Sequence, residues 1–275
     1  MARKVITESL KQEIIDFYKQ SPVSLKVLEE KYQLSHPTIS KILKDVPKHK
    51  KAQIYNPELY ENYFESINTE FKAYFLGFII ADGNIFLAKD GNRQTSISIT
   101  VKQSDQYILE RFKQEVHTNT NLAHDGRGCV TIAMRSNKMA SDLAKYGIVP
   151  RKTLMSFLPN NIPTDMMCHV LRGILDGDGN IKSKQTSIRN RYAHAINYCG
   201  TKQLMEDIAD YCVNVCKLKV KPTVYTYTNR HLSELKIQNK DDMYVFGEHL
   251  YHNANIYLVR KKTLYDEFKQ HYGLA

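Results

Sequence analysis

No stretch of the chain is apolar over the ~20 residues that a membrane-crossing helix needs. The first fourteen residues, MARKVITESLKQEI, also lack the apolar run and small-residue cleavage site of a secretion signal. An intracellular protein with no membrane segment is expected. Cysteine is sparse. The five, Cys129, Cys168, Cys199, Cys212 and Cys216, are odd in number, so a disulfide framework is not expected in a chain of 275 residues. Cys212 and Cys216 stand one helical turn apart but lack a CxxC pair or matching histidines, which reads as buried thiols rather than zinc ligands. His249 and His252 likewise read as a helix surface. Acidic groups are in the minority, 29 against 39 Lys and Arg, and the net charge of +10 points to a polyanionic partner. Nucleic acid and an anionic membrane both fit that charge.

The excess charge is unevenly placed. Residues 1–55 hold eleven Lys or Arg against six Asp or Glu. Three short helices are expected over residues 7–20, 24–32 and 35–45, with Ser24 and Ser35 as caps and Pro37 in a first turn where its missing N–H costs nothing. Apolar residues recur at helical spacing, Leu25 with Leu28 and Ile39 with Ile42 and Leu43. Residues 24–45 resemble a helix-turn-helix of the transposase and resolvase type, which implies that the second helix of the pair enters a major groove with His36, Thr38, Ser40 and Lys41 facing DNA. The alternative is an ordinary three-helix bundle with a solvated polar face. A basic linker follows over residues 46–56, where Lys48, Lys50 and Lys51 are candidates for phosphate contact.

From residue 57 the order of elements repeats. An apolar helix ending in glycine is followed by two strands, a helix, two strands and a helix, over 57–163 and again over 164–275. Arg151-Lys152-Thr153-Leu154 is echoed as Lys261-Lys262-Thr263-Leu264. The expected fold is α+β: two pseudo-symmetric αββαββα units with antiparallel sheets, plus the small all-α domain at residues 1–45.

The repeated helix carries the strongest signal, FLGFIIADG over 75–83 and LRGILDGDG over 171–179. Gly77 with Ala81, and Gly173 with Gly177, put small residues on one helix face and allow two backbones to approach. Gly83 and Gly179 are expected to stop the helices in the left-handed conformation. Two helices ending side by side would bring Asp82 and Asp178 together where both helix dipoles are negative, and a divalent cation would relieve the repulsion. Asp82, Asp178 and the carbonyls of Ala81 and Gly177 are hard oxygen ligands suited to Mg²⁺, with Mn²⁺ able to substitute. A cation so held could serve phosphodiester hydrolysis.

The doubled motif, its spacing and the element order after each copy resemble the double-motif LAGLIDADG homing endonucleases over residues 57–275. The resemblance implies a pseudo-twofold monomer whose saddle-shaped sheets lie on the DNA major groove. It further implies paired acids that cut both strands of a long target to leave short 3′ overhangs, in a gene associated with intron homing. The sixth motif position, Ile80 in one copy and Asp176 in the other, is variable in that family. Lys102 and Gln103 resemble its supporting polar pair, where the second copy has Cys199 and Gly200, and Lys236 is a candidate to balance transition-state charge.

Other readings are weaker. Residues 176–187 do not make an EF-hand loop, because Ile181 replaces its glycine and Ser187 its terminal glutamate. A glycosidase-like carboxylate pair fits poorly with the basic charge. The same scaffold serves transcriptional regulators and intron RNA maturases, and retention of an acid in both copies favours cleavage over these. The ends of the chain, Met-Ala and Gly-Leu-Ala, lack the nucleophile and the His-Asn pair of an intein host.

Overall fold

The computed structural model describes residues 6–20, 25–46, 58–87, 95–150, 156–186, 191–228 and 232–274. Ser24, Lys48, Lys50, Lys51 and the Arg151-Lys152-Thr153-Leu154 segment lie outside them. Two compact units are present, Met1–Pro57 and Glu58–Ala275.

The first unit holds α1 (Glu8–Gln20), α2 (Leu25–Tyr32) and α3 (His36–Ile42). One face of each contributes to a small core of Ile14, Tyr18, Leu28, Tyr32, Leu34, Ile39 and Leu43. Pro37 sits in the first turn of α3 as its lost N–H allows. Ser35 occupies the cap position in extended conformation, but its side chain makes no cap bond to the backbone; its hydroxyl pairs with that of Thr38 instead, at 2.9 Å.

In the second unit, α4 (Glu70–Asp82) leads into β1 (Gly83–Phe86), β2 (Ser96–Lys102), a one-turn 3-10 helix (Gln103–Asp105), α5 (Gln106–Glu115), β3 (Ala123–His124), β4 (Cys129–Arg135) and α6 (Asn137–Ala144). The order recurs as α7 (Thr164–Asp178), β5 (Asn180–Gln185), β6 (Tyr192–Gly200), α8 (Lys202–Asn214), β7 (Thr223–Thr226), β8 (Ser233–Ile237) and α9 (Lys240–Tyr251). A further helix, α10 (Val259–Tyr272), has no counterpart in the expected αββαββα plan.

The two sheets are antiparallel and share one topology, β1-β2-β4-β3 and β5-β6-β8-β7. Alternation sets which face is buried. In β2 and β4, Ile97, Ile99, Val101, Val130, Ile132 and Met134 point into the core, and the opposite face carries Ser98, Thr100, Thr131 and Ala133. The pairing Thr100↔Thr131 on that outer face is reinforced by a 2.8 Å bond between the two hydroxyls. Among the described residues no helix is long and apolar enough to cross a membrane.

Candidate functional site: paired acids at abutting helix ends

The two motif helices form the centre of the second unit. Thr69 starts α4, its hydroxyl accepting from the Lys72 amide at 3.3 Å. Residues 72–80 of α4 are buried on every side, which explains why its sequence shows almost no polar face. A Cβ built on Gly77 would lie 2.0 Å from the Val170 carbonyl oxygen, and one on Gly173 would lie 2.1 Å from that of Tyr74. No side chain fits at either position, so the helices touch backbone to backbone.

Both helices stop at the acid of the motif, but not in the conformation expected from the sequence. Gly83 has φ −74° and ψ 144°, and Gly179 has φ −90° and ψ 177°; both are extended, not left-handed. Glycine is required there for a different reason. A Cβ would lie 2.5 Å from the Ile79 Cγ2 or the Leu175 Cδ1 of the preceding turn, and as close to that turn's carbonyl oxygen. The chain leaves each helix directly into the first strand of its sheet, and only a residue without a side chain can fold back so tightly.

Asp82 and Asp178 line one cleft of about 290 Å³, together with Ala81, Asn84, Ser156, Cys199 and Thr201. At ~30 Å³ per water, that volume holds a hydrated cation and a phosphate. The helix ends are close: a Cβ on Gly177 would meet the Ala81 Cβ at 2.4 Å and the Asp82 Oδ2 at 3.5 Å. The Asp82 carboxylate therefore lies against the last turn of the partner helix, over a hollow that a single methyl group would fill. The two carboxylates, with the carbonyls of Ala81 and Gly177, would offer an all-oxygen donor set. Such a set fits Mg²⁺, which takes one or two carboxylates and keeps several waters. Among the described residues no cluster of three or more His, Cys, Asp or Glu side chains makes a denser metal cage.

A cation of the protein's own stands beside the acids. Lys261, in the first turn of α10 and 3% exposed, donates from Nζ to the carbonyls of Leu175 at 2.6 Å, Asp176 at 2.7 Å and Gly179 at 2.7 Å. It thereby neutralises the negative end of α7, gripping carbonyls on both sides of Gly177. Burial lowers its pKa to about 8, against the opposing pull of Asp176, Asp82 and Asp178. Asp176, 1% exposed, is raised to about 6 by burial, opposed by Lys261 and by hydrogen bonds from the Leu258 amide and the Tyr74 hydroxyl. Sequence reasoning misses the part that both residues play. Lys261 is visible there only as the first residue of a repeated tetrapeptide, and Asp176 as a variable motif position. The usable signal is the pairing of a charged residue inside an apolar motif with a second charge in the repeated segment, since buried charges come in pairs.

The other expected site residues lie elsewhere. Lys102 is exposed at the end of β2 opposite Cys129, and Gln103 begins the 3-10 helix that follows. Lys236 is exposed on β8, in register with Asn197 and Thr223. None of the three is among the residues lining the cleft. In the first unit, His36, Ser40 and Lys41 are exposed on α3 and Thr38 is half-buried, with the His36 Nδ1 2.6 Å from the Glu29 carboxylate.

Neither a protein-family sequence model nor a curated protein matches the chain. Solved structures do. The meganuclease I-AabMI, bound to uncleaved DNA, superposes with a TM-score of 0.54 at 14% identity, covering 75% of this chain and 91% of that one. A single mutant of I-SmaMI gives 0.55 at 13% identity, covering 74% and 90%. The chain has the LAGLIDADG meganuclease fold. I-SmaMI bound to an uncleaved DNA target in the presence of calcium ions matches as well, with a TM-score of 0.51 at 13% identity over 74% of this chain and 90% of that one. At such low identity the LAGLIDADG likeness is one of architecture.

Proposed function

We propose that the protein is a site-specific, double-strand DNA endonuclease of the LAGLIDADG homing type that requires a divalent metal, Mg²⁺ or Mn²⁺. The observation that carries this reading is the meeting of Asp82 and Asp178 in one cleft at the ends of two helices packed through Gly77 and Gly173. Asp82, Asp178 and the carbonyls of Ala81 and Gly177 would hold the ion, one acid serving each strand. A bound divalent cation supplies Lewis acidity for hydrolysis of a phosphodiester. The two carboxylates and the dipole of α4 would make the cleft attractive to cations, and Lys261 holds the second helix end in place while adding positive charge beside a transferring phosphoryl group. The outer faces of the two sheets carry the polar side chains that would read base edges. Calcium and DNA in the I-SmaMI complexes are consistent with that use of the fold.

The N-terminal helices would act as a separate helix-turn-helix, with His36, Thr38, Ser40 and Lys41 of α3 on the duplex. It would add contact length and affinity to a target chosen by the sheets. Short 3′ overhangs and an intron-borne gene follow from the same reading.

The test starts from wild-type protein and a randomised duplex library, from which rounds of binding and recovery select a target. On that target Asp82→Asn and Asp178→Asn are each expected to abolish double-strand cleavage with binding retained. Tight binding with no metal-dependent cutting by the wild type would favour a regulator or maturase and overturn the nuclease.

A further inference from the structure

The segment joining α9 to α10 has no regular structure, yet side chains from distant elements hold it at one residue after another. Glu70, the first residue of α4, accepts from the amide of Asn255 at 2.7 Å and that of Ile256 at 3.3 Å. Arg172 on α7 is fully buried and donates to the Ile256 carbonyl at 2.8 Å and to Glu70 at 2.5 Å. The Tyr107 hydroxyl, on α5 of the first repeat, donates to the Tyr257 carbonyl at 3.1 Å and accepts from the Val259 amide at 2.7 Å. Asp176 accepts from the Leu258 amide at 2.7 Å, and Asp105 pairs with the Arg260 guanidinium at 2.9 Å. The next residue is Lys261, whose amine grips the end of α7 beside Asp178.

A connection of this length could be held far more cheaply if its only task were to join two helices. Burying a guanidinium and two carboxylates costs free energy that good geometry recovers only in part, so such a network marks a position that must be fixed. The two charged members of the network that stand within a motif, Arg172 and Asp176, both belong to the second motif helix. When the two motifs are aligned on their glycines and acids, Leu76 stands where Arg172 does and Ile80 where Asp176 does, and both are buried and apolar. In the corresponding place to Tyr107, Gln203 uses its amide on Asp207 at 2.8 Å, and the other Asp207 carboxylate oxygen accepts from the Leu158 amide at 3.0 Å.

Building on the nuclease reading above, we propose that Tyr107, Asp105, Arg172 and Asp176 are positioning residues that fix Lys261 at the second motif helix, so that scission of one DNA strand depends on them and scission of the other does not. The first repeat would thus complete the half-site of the second through Asp105 and Tyr107.

The experiment follows both strands separately. A duplex selected by the wild-type full chain from a random library is placed in a supercoiled plasmid and, end-labelled on each strand, in a short linear DNA. With Mg²⁺, Tyr107→Phe is expected to leave one strand cut at the wild-type rate and to slow the other by tenfold or more, on the order of the loss produced by a small misplacement of a reacting group. Nicked circles then accumulate, the affinity for the duplex is unchanged, and the fall lies in kcat. Arg260→Gln, which changes a half-exposed side chain, is expected to bias the same strand and serves if Tyr107→Phe melts early. General loosening of the fold would slow both strands together. Equal slowing of both strands, or wild-type rates on both, overturns the proposal while leaving the nuclease standing. A wild type that selects or cuts no duplex overturns both.

Discussion

An alanine at Gly173 would place a methyl carbon 2.1 Å from the Tyr74 carbonyl oxygen and 2.7 Å from the Phe78 amide nitrogen, and neither atom can move without the helix that carries it. Gly173→Ala is therefore expected to destabilise the second unit by about 3 kcal/mol or more, as overpacking against backbone does, seen as a lower denaturant midpoint with an unchanged slope. An unaltered midpoint would mean that the helices part easily. Asp142 on α6 provides a second residue-level test. Burial raises its pKa, but hydrogen bonds from Lys138 at 2.5 Å and Lys145 at 2.7 Å prevail and hold it below the ordinary carboxylate value. A carboxylate depressed in the folded state stabilises above its unfolded pKa, and that contribution disappears as pH falls through the folded value. Asp142→Asn should therefore lower the melting temperature at neutral pH and differ less and less from wild type on acidification. A constant difference across that range would refute the assignment. Small residues four apart stand out in a sequence because spacing alone reveals them. The role of Gly83 and Gly179 is not visible in the same way, because the clash that demands glycine comes from a tight exit into a strand and not from a positive φ.

The sheets differ in chemistry although their topology is the same. On the outer face of the first, the central positions Ser98, Thr100, Thr131 and Ala133 are short, with Lys102 and Arg135 at opposite ends. The second presents Asn180, Lys182, Lys184 and Lys236, all exposed, across β5 and β8. Lysine ammonium groups seek the O6 and N7 of guanine, whereas threonine and alanine methyls pack on the thymine methyl. If the protein reads DNA with these faces, the half-site under the second sheet should be richer in G·C than the other in duplexes selected from a random library. Lys182→Ala should relax that half alone, and equal composition of the halves would count against this reading. Element order and strand placement are readable because β2 and β4 alternate cleanly. The helix α10 is not, because its buried positions, Lys261, Tyr265 and Phe268, include a lysine and lie within an otherwise charged run. A cation used as a core residue defeats a pattern built on apolar spacing.

At the scale of the whole chain, duplication is what makes the architecture legible, since two copies of a motif constrain each other more than either does alone. It also conceals what differs between the halves. Arg172 and Asp176 break the apolar pattern of the second motif, and their partners lie in a connecting segment and, as Glu70 and Tyr74, in the other repeat, a relation that no local window contains. On the function proposed above, two acids at abutting helix ends would act together on one duplex. The most direct measurement is a time course of wild-type protein on a supercoiled plasmid carrying a selected target, run with Mg²⁺ and with a chelator. Linear product that forms with Mg²⁺ and is abolished by the chelator is the predicted result, and linear product that forms equally without metal, or tight binding with no cutting at all, would contradict it.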